Sequence, residues 1–165
     1  HLSFAMAEET NEVPDSFKIF ESFPFAVAIS DSDNDNVYEC LSTRRMWIKP
    51  EEKKGEYVWF LQGNHDNRKR TISFYVFKGT SPDTFLFTVG SDEALSSQAK
   101  FHYTDYENCA VLDLPYNGRQ CILWSTEKSK NSLPQKCLDE FEKYCGAGIP
   151  LYGKALCSDD EVAEW

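Results

Sequence analysis

Short apolar and aromatic runs alternate with turn-forming residues along most of this chain. The runs are rich in Phe, Tyr, Val and Thr, and Asp, Asn, Gly and Pro separate them at close spacing. This pattern is typical of β-strands joined by tight turns, and no helical periodicity interrupts it. It predicts eight strands, at residues 24–30, 37–48, 56–62, 70–77, 84–90, 99–106, 108–114 and 119–126. Short strands at regular spacing indicate an all-β fold, either an antiparallel barrel or a sandwich.

A short helix is predicted on each side of this series of strands. The segment DSFKIFES can form the first helix, with Asp15 as its N-cap residue. In the second, Ser132 and Gln135 form a capping box, Pro134 lies in the first turn, and Gly146 can end the helix. The chain is therefore expected to enter and leave the β-sheet through helices.

Length and charge define a single domain and exclude some partners. The chain has 165 residues, the size of one ordinary domain, and 41% of them are hydrophobic. We expect a flexible N-terminus at residues 1–14, one folded domain at 15–157 and a flexible acidic tail at 158–165. The formal net charge of −10 repels phosphate groups and anionic lipid headgroups, which argues against nucleic-acid and membrane partners.

Six cysteines constrain the fold further. Their even number, the lack of any Cys-x-x-Cys pair and the presence of only three histidines favour three disulfides over a zinc site. Disulfides in this number predict a secreted, extracellular protein, with reduced cytosolic thiols as the alternative. The predicted second helix carries Cys137, Phe141 and Cys145 on one face. We therefore predict the pairs Cys109–Cys137 and Cys121–Cys145, which leaves Cys40–Cys157.

This pairing requires Cys109 and Cys121 to point outwards from two strands joined by the PYNG turn. Side chains alternate along a strand, so both point the same way only if the loop has an odd length, such as 116–118 with Gly118 in the left-handed region. The neighbours of the cysteines then point inwards. This set comprises Glu39, Leu41, Thr43, Arg45, Ala110, Leu112, Ile122 and Trp124, with Tyr57, Trp59 and Tyr75 as lining candidates of undetermined face. An eight-stranded barrel either fills such an interior with side chains or holds one small ligand there.

The segment from Cys109 to Cys137 resembles the signature of the tick salivary lipocalins, the tick histamine-binding protein family. That signature is Cys-Asp-(Val/Ile/Leu), then Glu-Leu-(Trp/Tyr), then a Cys in a following helix. The positions that match it are Cys109, Val111, Leu123, Trp124 and Cys137. Outside the signature, the similarity extends loosely from the first predicted helix to the last cysteine.

The resemblance implies an eight-stranded antiparallel lipocalin barrel with the C-terminal helix stapled to its outside. It also implies a salivary protein, expected to be a monomer without cofactor or metal, that sequesters a small host mediator of inflammation or haemostasis and is not an enzyme. Ligands of the family include histamine, serotonin, leukotrienes and other lipids, and a few members bind complement protein. The two usual disulfides of the family correspond to Cys40–Cys157 and Cys109–Cys137, with Cys121–Cys145 as an additional pair.

Two positions depart from the amine-binding members of the family. Those members have Asp after the first cysteine and Glu before Leu-Trp, where this chain has Ala110 and Ile122. A buried ammonium group without a carboxylate partner is strongly disfavoured, whereas an acyl chain gains about 0.8 kcal/mol for each buried methylene. The sequence therefore favours a lipid or eicosanoid ligand. Arg45 can bind its carboxylate, as can Lys100, which lies near the position where leukotriene-binding members carry a basic residue.

Three other interpretations stay open. A biogenic amine can find carboxylates at Glu39 or in the turn that holds Asp31, Asp33 and Asp35. A host protein such as complement can contact the charged loops KPEEKKG and GNHDNRKR. Catalysis has the least support, because the chain lacks the motifs of nucleophile, metal and phosphate sites.

Overall fold

The computed structural model describes residues 12–33, 36–63, 68–90, 95–153 and 156–157. The helices in these ranges are α1 (Ser16–Ser22) and α2 (Gln135–Cys145), with a short 3₁₀ helix at Asn36–Tyr38. The strands in these ranges are β1 (Phe25–Asp31), β2 (Ser42–Lys49), β3 (Lys54–Leu61), β4 (Arg70–Lys78), β5 (Thr84–Val89), β6 (Ser97–Thr104), β7 (Cys109–Pro115), β8 (Arg119–Ser125) and β9 (Ile149–Pro150).

The strands form one antiparallel sheet that closes on itself. Neighbouring strands from β2 to β8 pair in sequence order, and β1 lies between β8 and β2. Val27 of β1 is the point of closure, because it pairs with Ser125 on one side and with Ser42 on the other. Farther along β1, the two-residue strand β9 takes the place of β2. The predicted barrel is therefore confirmed, and the sandwich alternative is excluded.

The predicted second strand, residues 37–48, begins later than expected. Its first part is the 3₁₀ helix and a turn, in which Cys40 has a left-handed backbone with φ of 60°. The amide of Cys40 donates to the carbonyl of Leu151, so this segment is tied to the chain after α2 and does not extend β2. The other seven predicted strands match the observed ones to within two residues at each end.

The hairpin of β7 and β8 has the geometry that the cysteine pairing requires. Pro115 pairs with Arg119, so the loop has three residues, and Gly118 adopts φ of 89°. Because the loop length is odd, Cys109 and Cys121 both point outwards, where they pack against α2. The three disulfides are the predicted pairs, Cys40–Cys157, Cys109–Cys137 and Cys121–Cys145.

Helix α2 lies on the outside of the barrel and buries one face. Cys137, Phe141 and Cys145 are its buried residues, as their spacing predicts, and Gly146 ends the helix with φ of 83°. The predicted capping box of Ser132 and Gln135 is wrong. The amide of Ser132 bonds to Ser129 in a preceding turn, and the extended Pro134 is the N-cap residue, so the helix starts too late for the box to form.

Helix α1 closes one end of the barrel, which we call the closed end. The Asp15 carboxylate accepts hydrogen bonds from the amides of Phe17 and Lys18, as expected of an N-cap residue. The amide of Ser16 donates to the carbonyl of Pro82, which ties the helix to the turn between β4 and β5. The ring of Phe20 points into the barrel, where it contacts Tyr57, Phe85 and Phe101. Among the described residues, no helix has the length and apolar character needed to cross a membrane.

Candidate functional site

A cavity of about 70 Å³ lies inside the barrel next to α1. Residues from α1, from the segment after it and from each of the eight barrel strands form its wall. They are Ile19, Phe20, Phe23, Ala26, Thr43, Tyr57, Trp59, Phe74, Val76, Phe85, Phe101, Ala110, Leu112, Leu114 and Trp124. The cavity can hold a few water molecules, but sites for drug-sized ligands measure roughly 300–1,000 Å³. The interior is therefore mostly filled by side chains.

Aromatic rings account for more than half of this wall and pack against one another. Trp59 has its ring centroid 4.4 Å from that of Phe74 and 5.6 Å from that of Trp124. The Phe20 ring lies 5.1 Å from Phe85 in an edge-to-face arrangement. Rings packed in this way fill space without any polar contact, so rotation of a few of them changes the volume of the cavity.

The polar side chains of the wall already have partners. The hydroxyl of Thr43 donates to the carbonyl of Val58 at 3.0 Å. The hydroxyl of Tyr57 lies 2.6 Å from the carbonyl oxygen of Phe23 and 3.0 Å from that of Phe20, so it binds the end of α1. Burial raises the pKa of Tyr57 well above its usual value, so the hydroxyl stays protonated. Among the residues that the structure describes, no charged side chain lines this wall.

Arg45 lies at the last turn of α1 and is not among the residues that line the cavity. Its Nη1 atom donates to the carbonyl of Phe20 at 2.7 Å and to that of Glu21 at 3.2 Å, which caps the last turn of the helix. A guanidinium group has five N–H donors, and both of these bonds use the same nitrogen. Arg45 and Tyr57 therefore form a polar pair at the closed end, beside an otherwise apolar cavity.

The structure brings many of the predicted site residues together. Those on the cavity wall are Thr43, Tyr57, Trp59, Ala110, Leu112 and Trp124. Leu41 and Ile122 belong to the same interior cluster without lining the cavity, and both are fully buried. Ala110 and Ile122, which stand where amine-binding members of the family have Asp and Glu, both point into the barrel, as expected.

Three predicted lining residues lie elsewhere. Tyr75 is on the opposite face of β4 from Phe74 and Val76, so it points outwards. Lys100 is exposed on the outside of β6, where its ammonium group lies 3.7 Å from the carboxylate of Asp83. Glu39 is half-buried in the turn before β2, where strand alternation does not apply.

One part of the wall was not predicted from the sequence. It comes from α1 and from the strands that carry no cysteine. From the N-terminal segment these are Ile19, Phe20 and Phe23, and from the strands they include Phe74, Val76, Phe85 and Phe101. The signal for α1 was present, since its buried residues fall on one face of a short helix. On the strands, no cysteine fixed the face, so alternation alone left two equivalent choices.

Asp31 is a buried carboxylate at the open end of the barrel, opposite α1. It is 0% exposed and pairs with Ile122 of β8. Its Oδ1 atom accepts from the amides of Asp33 and Cys121, both at 3.2 Å, whereas its Oδ2 atom has no partner among the described residues. Burial raises the pKa of Asp31 from 3.8 to about 6. Asp35, which belongs to the same predicted amine site, and residues 64–67 of the second charged loop lie outside the described residues.

A second polar group fixes α2 to the outer wall. Asp113 accepts a bond from Arg119 at 2.8 Å and contacts the His102 ring at 3.0 Å, and that ring stacks on Tyr144 of α2. Burial raises the pKa of Asp113, but the bonds from Arg119 and His102 outweigh it and hold that pKa below its usual value. Cys121 lies within metal-ligand distance of this group, but its sulfur is in a disulfide and offers no thiolate. This group therefore stabilises the position of the helix.

Comparison with known proteins agrees with this geometry. A family model described as tick histamine binding protein matches residues 6–157. The solved structure of AM182 in complex with serotonin is similar at a TM-score of 0.65, with 16% identity over 89% of this chain and 95% of that one. Japanin from Rhipicephalus appendiculatus bound to cholesterol is similar at a TM-score of 0.60, with 13% identity over 79% of this chain and 94% of that one.

No protein in a curated collection matches the chain. The two solved structures, one with serotonin and one with cholesterol, share the fold of this chain. The family match covers all eight barrel strands and all six cysteines. The chain therefore belongs to the tick histamine-binding protein family.

Proposed function

We propose that this protein is a secreted salivary scavenger that holds one small host mediator inside its barrel, and that the mediator is a lipid or eicosanoid. The observation that carries this proposal is the composition of the cavity wall. No charged side chain of the described residues lines the wall, and the hydroxyls of Thr43 and Tyr57 already bond to backbone carbonyls. Such a wall gives an apolar chain a favourable environment and offers an ammonium group no counter-charge. Three disulfides support secretion.

Binding of an eicosanoid requires the interior to expand. The cavity of about 70 Å³ is smaller than such a ligand, so aromatic side chains of the wall must move apart to admit it. Trp59 and Phe74 are suited to this, because they contact other rings and their side chains form no polar bond that would have to break. The ligand then replaces ring–ring contacts with ring–acyl contacts, which keeps the interior free of water.

Arg45 and Tyr57 are the candidates to bind a carboxylate head group. Both lie at the closed end, and they hold the last carbonyls of α1 in place. A guanidinium group binds a carboxylate through two parallel N–H bonds, and the Tyr57 hydroxyl adds a third only by exchanging its bond to the Phe23 carbonyl for one to the ligand. Lys100 is not proposed for this role, because it lies on the outside of the barrel.

A biogenic amine is the second candidate ligand, and Asp31 is the observation that favours it. Asp31 is fully buried with one carboxylate oxygen that lacks a partner among the described residues. An ammonium group placed there would supply the missing hydrogen bond and a compensating charge. This site would lie at the open end, away from the cavity next to α1, so the two candidates can be separated by substitution.

The test combines native mass spectrometry of the protein as isolated with calorimetry. The titrants are arachidonic acid, a leukotriene, cholesterol, histamine and serotonin. We expect a retained lipid mass or micromolar binding of the two fatty-acid derivatives. Arg45→Ala should weaken the binding of these two carboxylates at least tenfold and leave cholesterol unchanged. Arg44→Ala is the matched control, since Arg44 is its neighbour on the opposite face of β2.

Two outcomes would overturn the proposal. In the first, the protein binds an amine but no lipid, and Asp31→Asn abolishes this binding. The ligand would then be an amine, and its site would lie at the open end. No binding of any titrant by a correctly folded protein would instead favour a host protein partner.

A further inference from the structure

We propose that the outside of the closed end carries a second binding site, which takes a small organic anion with an apolar portion. The site is a groove of about 270 Å³ between the N-terminal end of α1 and two turns, the one between β2 and β3 and the one between β4 and β5. Its lining residues are Asp15, Phe17, Lys53, Lys78, Gly79, Thr80, Ser81, Pro82 and Thr84. None of them lines the interior cavity, so this site is separate from the proposed mediator site.

Backbone contacts hold the groove in shape. The amide of Lys78 donates to the carbonyl of Lys53 at 3.1 Å, which places the two lysines side by side on adjacent turns. Lys53 has a left-handed backbone with φ of 55°. Gly79 packs so closely on Thr84 that a Cβ at position 79 would lie 2.4 Å from the threonine hydroxyl oxygen. The backbone therefore fixes part of the shape of the groove.

The charge of the groove is positive, in contrast to the formal net charge of −10 of the chain. Neither Lys53 nor Lys78 forms an ion pair with a carboxylate of the described residues. The carboxylate of Asp15, which also lines the groove, accepts the hydrogen bonds from the amides of Phe17 and Lys18. Two lysines and one aspartate therefore line the groove, and an anion is the ligand that balances the excess positive charge.

Two of the neighbouring carboxylates are bonded to other groups. Asp83 accepts from the hydroxyl of Ser81 at 2.7 Å and pairs with Lys100. Glu52, in the same turn as Lys53, pairs with Lys54 at 3.2 Å. These two carboxylates therefore do not neutralise the groove lysines.

Phe17 explains why the anion should have an apolar portion. Its ring forms part of the groove wall, and the ammonium group of Lys53 lies 5.6 Å from the ring centroid. An aromatic or alkyl group attached to the anion can pack on this ring while the acidic group lies between the lysines. Inorganic sulfate lacks this contact although it carries two negative charges, so tighter binding of a singly charged aryl sulfonate would report the contribution of the ring.

The test is a titration of the full, disulfide-bonded chain with benzenesulfonate, followed by amide chemical shifts in NMR. We expect saturable shifts at Gly79, Thr80 and Ser81, and affinity at least threefold higher than for sodium sulfate. The double substitution of Lys53 and Lys78 by Gln removes both charges and should weaken binding about tenfold, which corresponds to about 1.4 kcal/mol. Lys136→Gln, on exposed α2, is the control and should leave the affinity unchanged.

Three results would contradict the site. Shifts that do not saturate, or equal affinity in the double variant and the native chain, would show that the lysines bind no anion. Equal affinity for sulfate and benzenesulfonate would show that the benzene ring gains nothing from contact with Phe17. Because the shifts are read at the outer turns, these results do not depend on whether a mediator binds inside the barrel.

Discussion

Substitution of Asp31 by Asn should stabilise the barrel relative to the native chain as the pH rises. Asp31 is fully buried, and its Oδ2 atom has no partner among the described residues. Burial raises its pKa from 3.8 to about 6, so the charged carboxylate is disfavoured in the folded state. A shift of this size corresponds to about 3 kcal/mol, since one pKa unit is worth about 1.36 kcal/mol.

The sign of the effect follows from the protons bound in each state. Between pH 3.8 and about 6 the folded chain keeps a proton on Asp31 that the unfolded chain has released. The contribution of Asp31 to the free energy of unfolding is therefore greatest below pH 3.8 and is lost as the pH rises through 6. Asn keeps an acceptor oxygen for the amides of Asp33 and Cys121, and it does not titrate. The difference between the variant and native free energies of unfolding should rise by about 2 kcal/mol between pH 4 and pH 7, because part of the full effect has already developed at pH 4.

The assay is urea unfolding of both proteins at intervals from pH 4 to pH 8, with disulfides intact. Subtracting the two free energies of unfolding cancels the pH dependence of the titratable groups that both proteins share. These include Asp113, whose lowered pKa changes stability with pH in the opposite direction. Ser32→Ala is the matched control, because the Ser32 hydroxyl accepts from the same Cys121 amide and carries no charge. Its difference from the native chain should be independent of pH. If the Asn variant shows the same flat difference, Asp31 is not a destabilised carboxylate and the argument for an amine at the open end fails with it.

Three further substitutions test the interior and the disulfides. Trp124→Ala should weaken leukotriene binding at least tenfold in calorimetry, whereas Trp47→Ala on the outer surface should not change it; equal losses would contradict the cavity as the site. Ile122→Glu places a carboxylate at a fully buried position, so the melting temperature should fall by several degrees and histamine should restore part of the loss; no response to histamine would count against this reasoning. Replacement of Cys121 and Cys145 by Ala should lower the free energy of unfolding by about 2–4 kcal/mol in urea, and a change near zero would show that this disulfide adds nothing.

The fold was largely predictable because its determinants are local. Alternating apolar runs and turn residues specify strands, and seven of the eight predicted strands agree with the structure to within two residues. The odd loop at residues 116–118 follows from the positions of Cys109 and Cys121 together with the helix spacing of their partners. The predicted start of the second strand was wrong, because the alternation of apolar and polar residues does not determine the backbone there. Cys40 has a left-handed backbone, and its amide bonds to Leu151, a residue far away in the sequence.

The inward face of a strand could be inferred from the sequence only next to a cysteine. Ala110, Leu112 and Trp124 were assigned correctly because a disulfide to an outer helix fixes the outward face of β7 and β8. On β4 and β6 no such reference exists, so the faces of Tyr75 and Lys100 stayed undetermined in the sequence, and the structure places both side chains outside the barrel. A shift of one residue in strand register moves every side chain to the other face, so composition alone cannot make this choice.

The sequence by itself determined the strand pattern, the stapled helix, the disulfide pairs and the loss of acids at positions 110 and 122. The tertiary structure alone decided how much space those apolar residues enclose. α1 inserts Phe20 into the closed end, and its last carbonyls bind Arg45 and Tyr57. The volume left inside depends on how rings from every strand pack against this helix. Packing of this kind joins residues that are distant in the chain, and no local pattern encodes it.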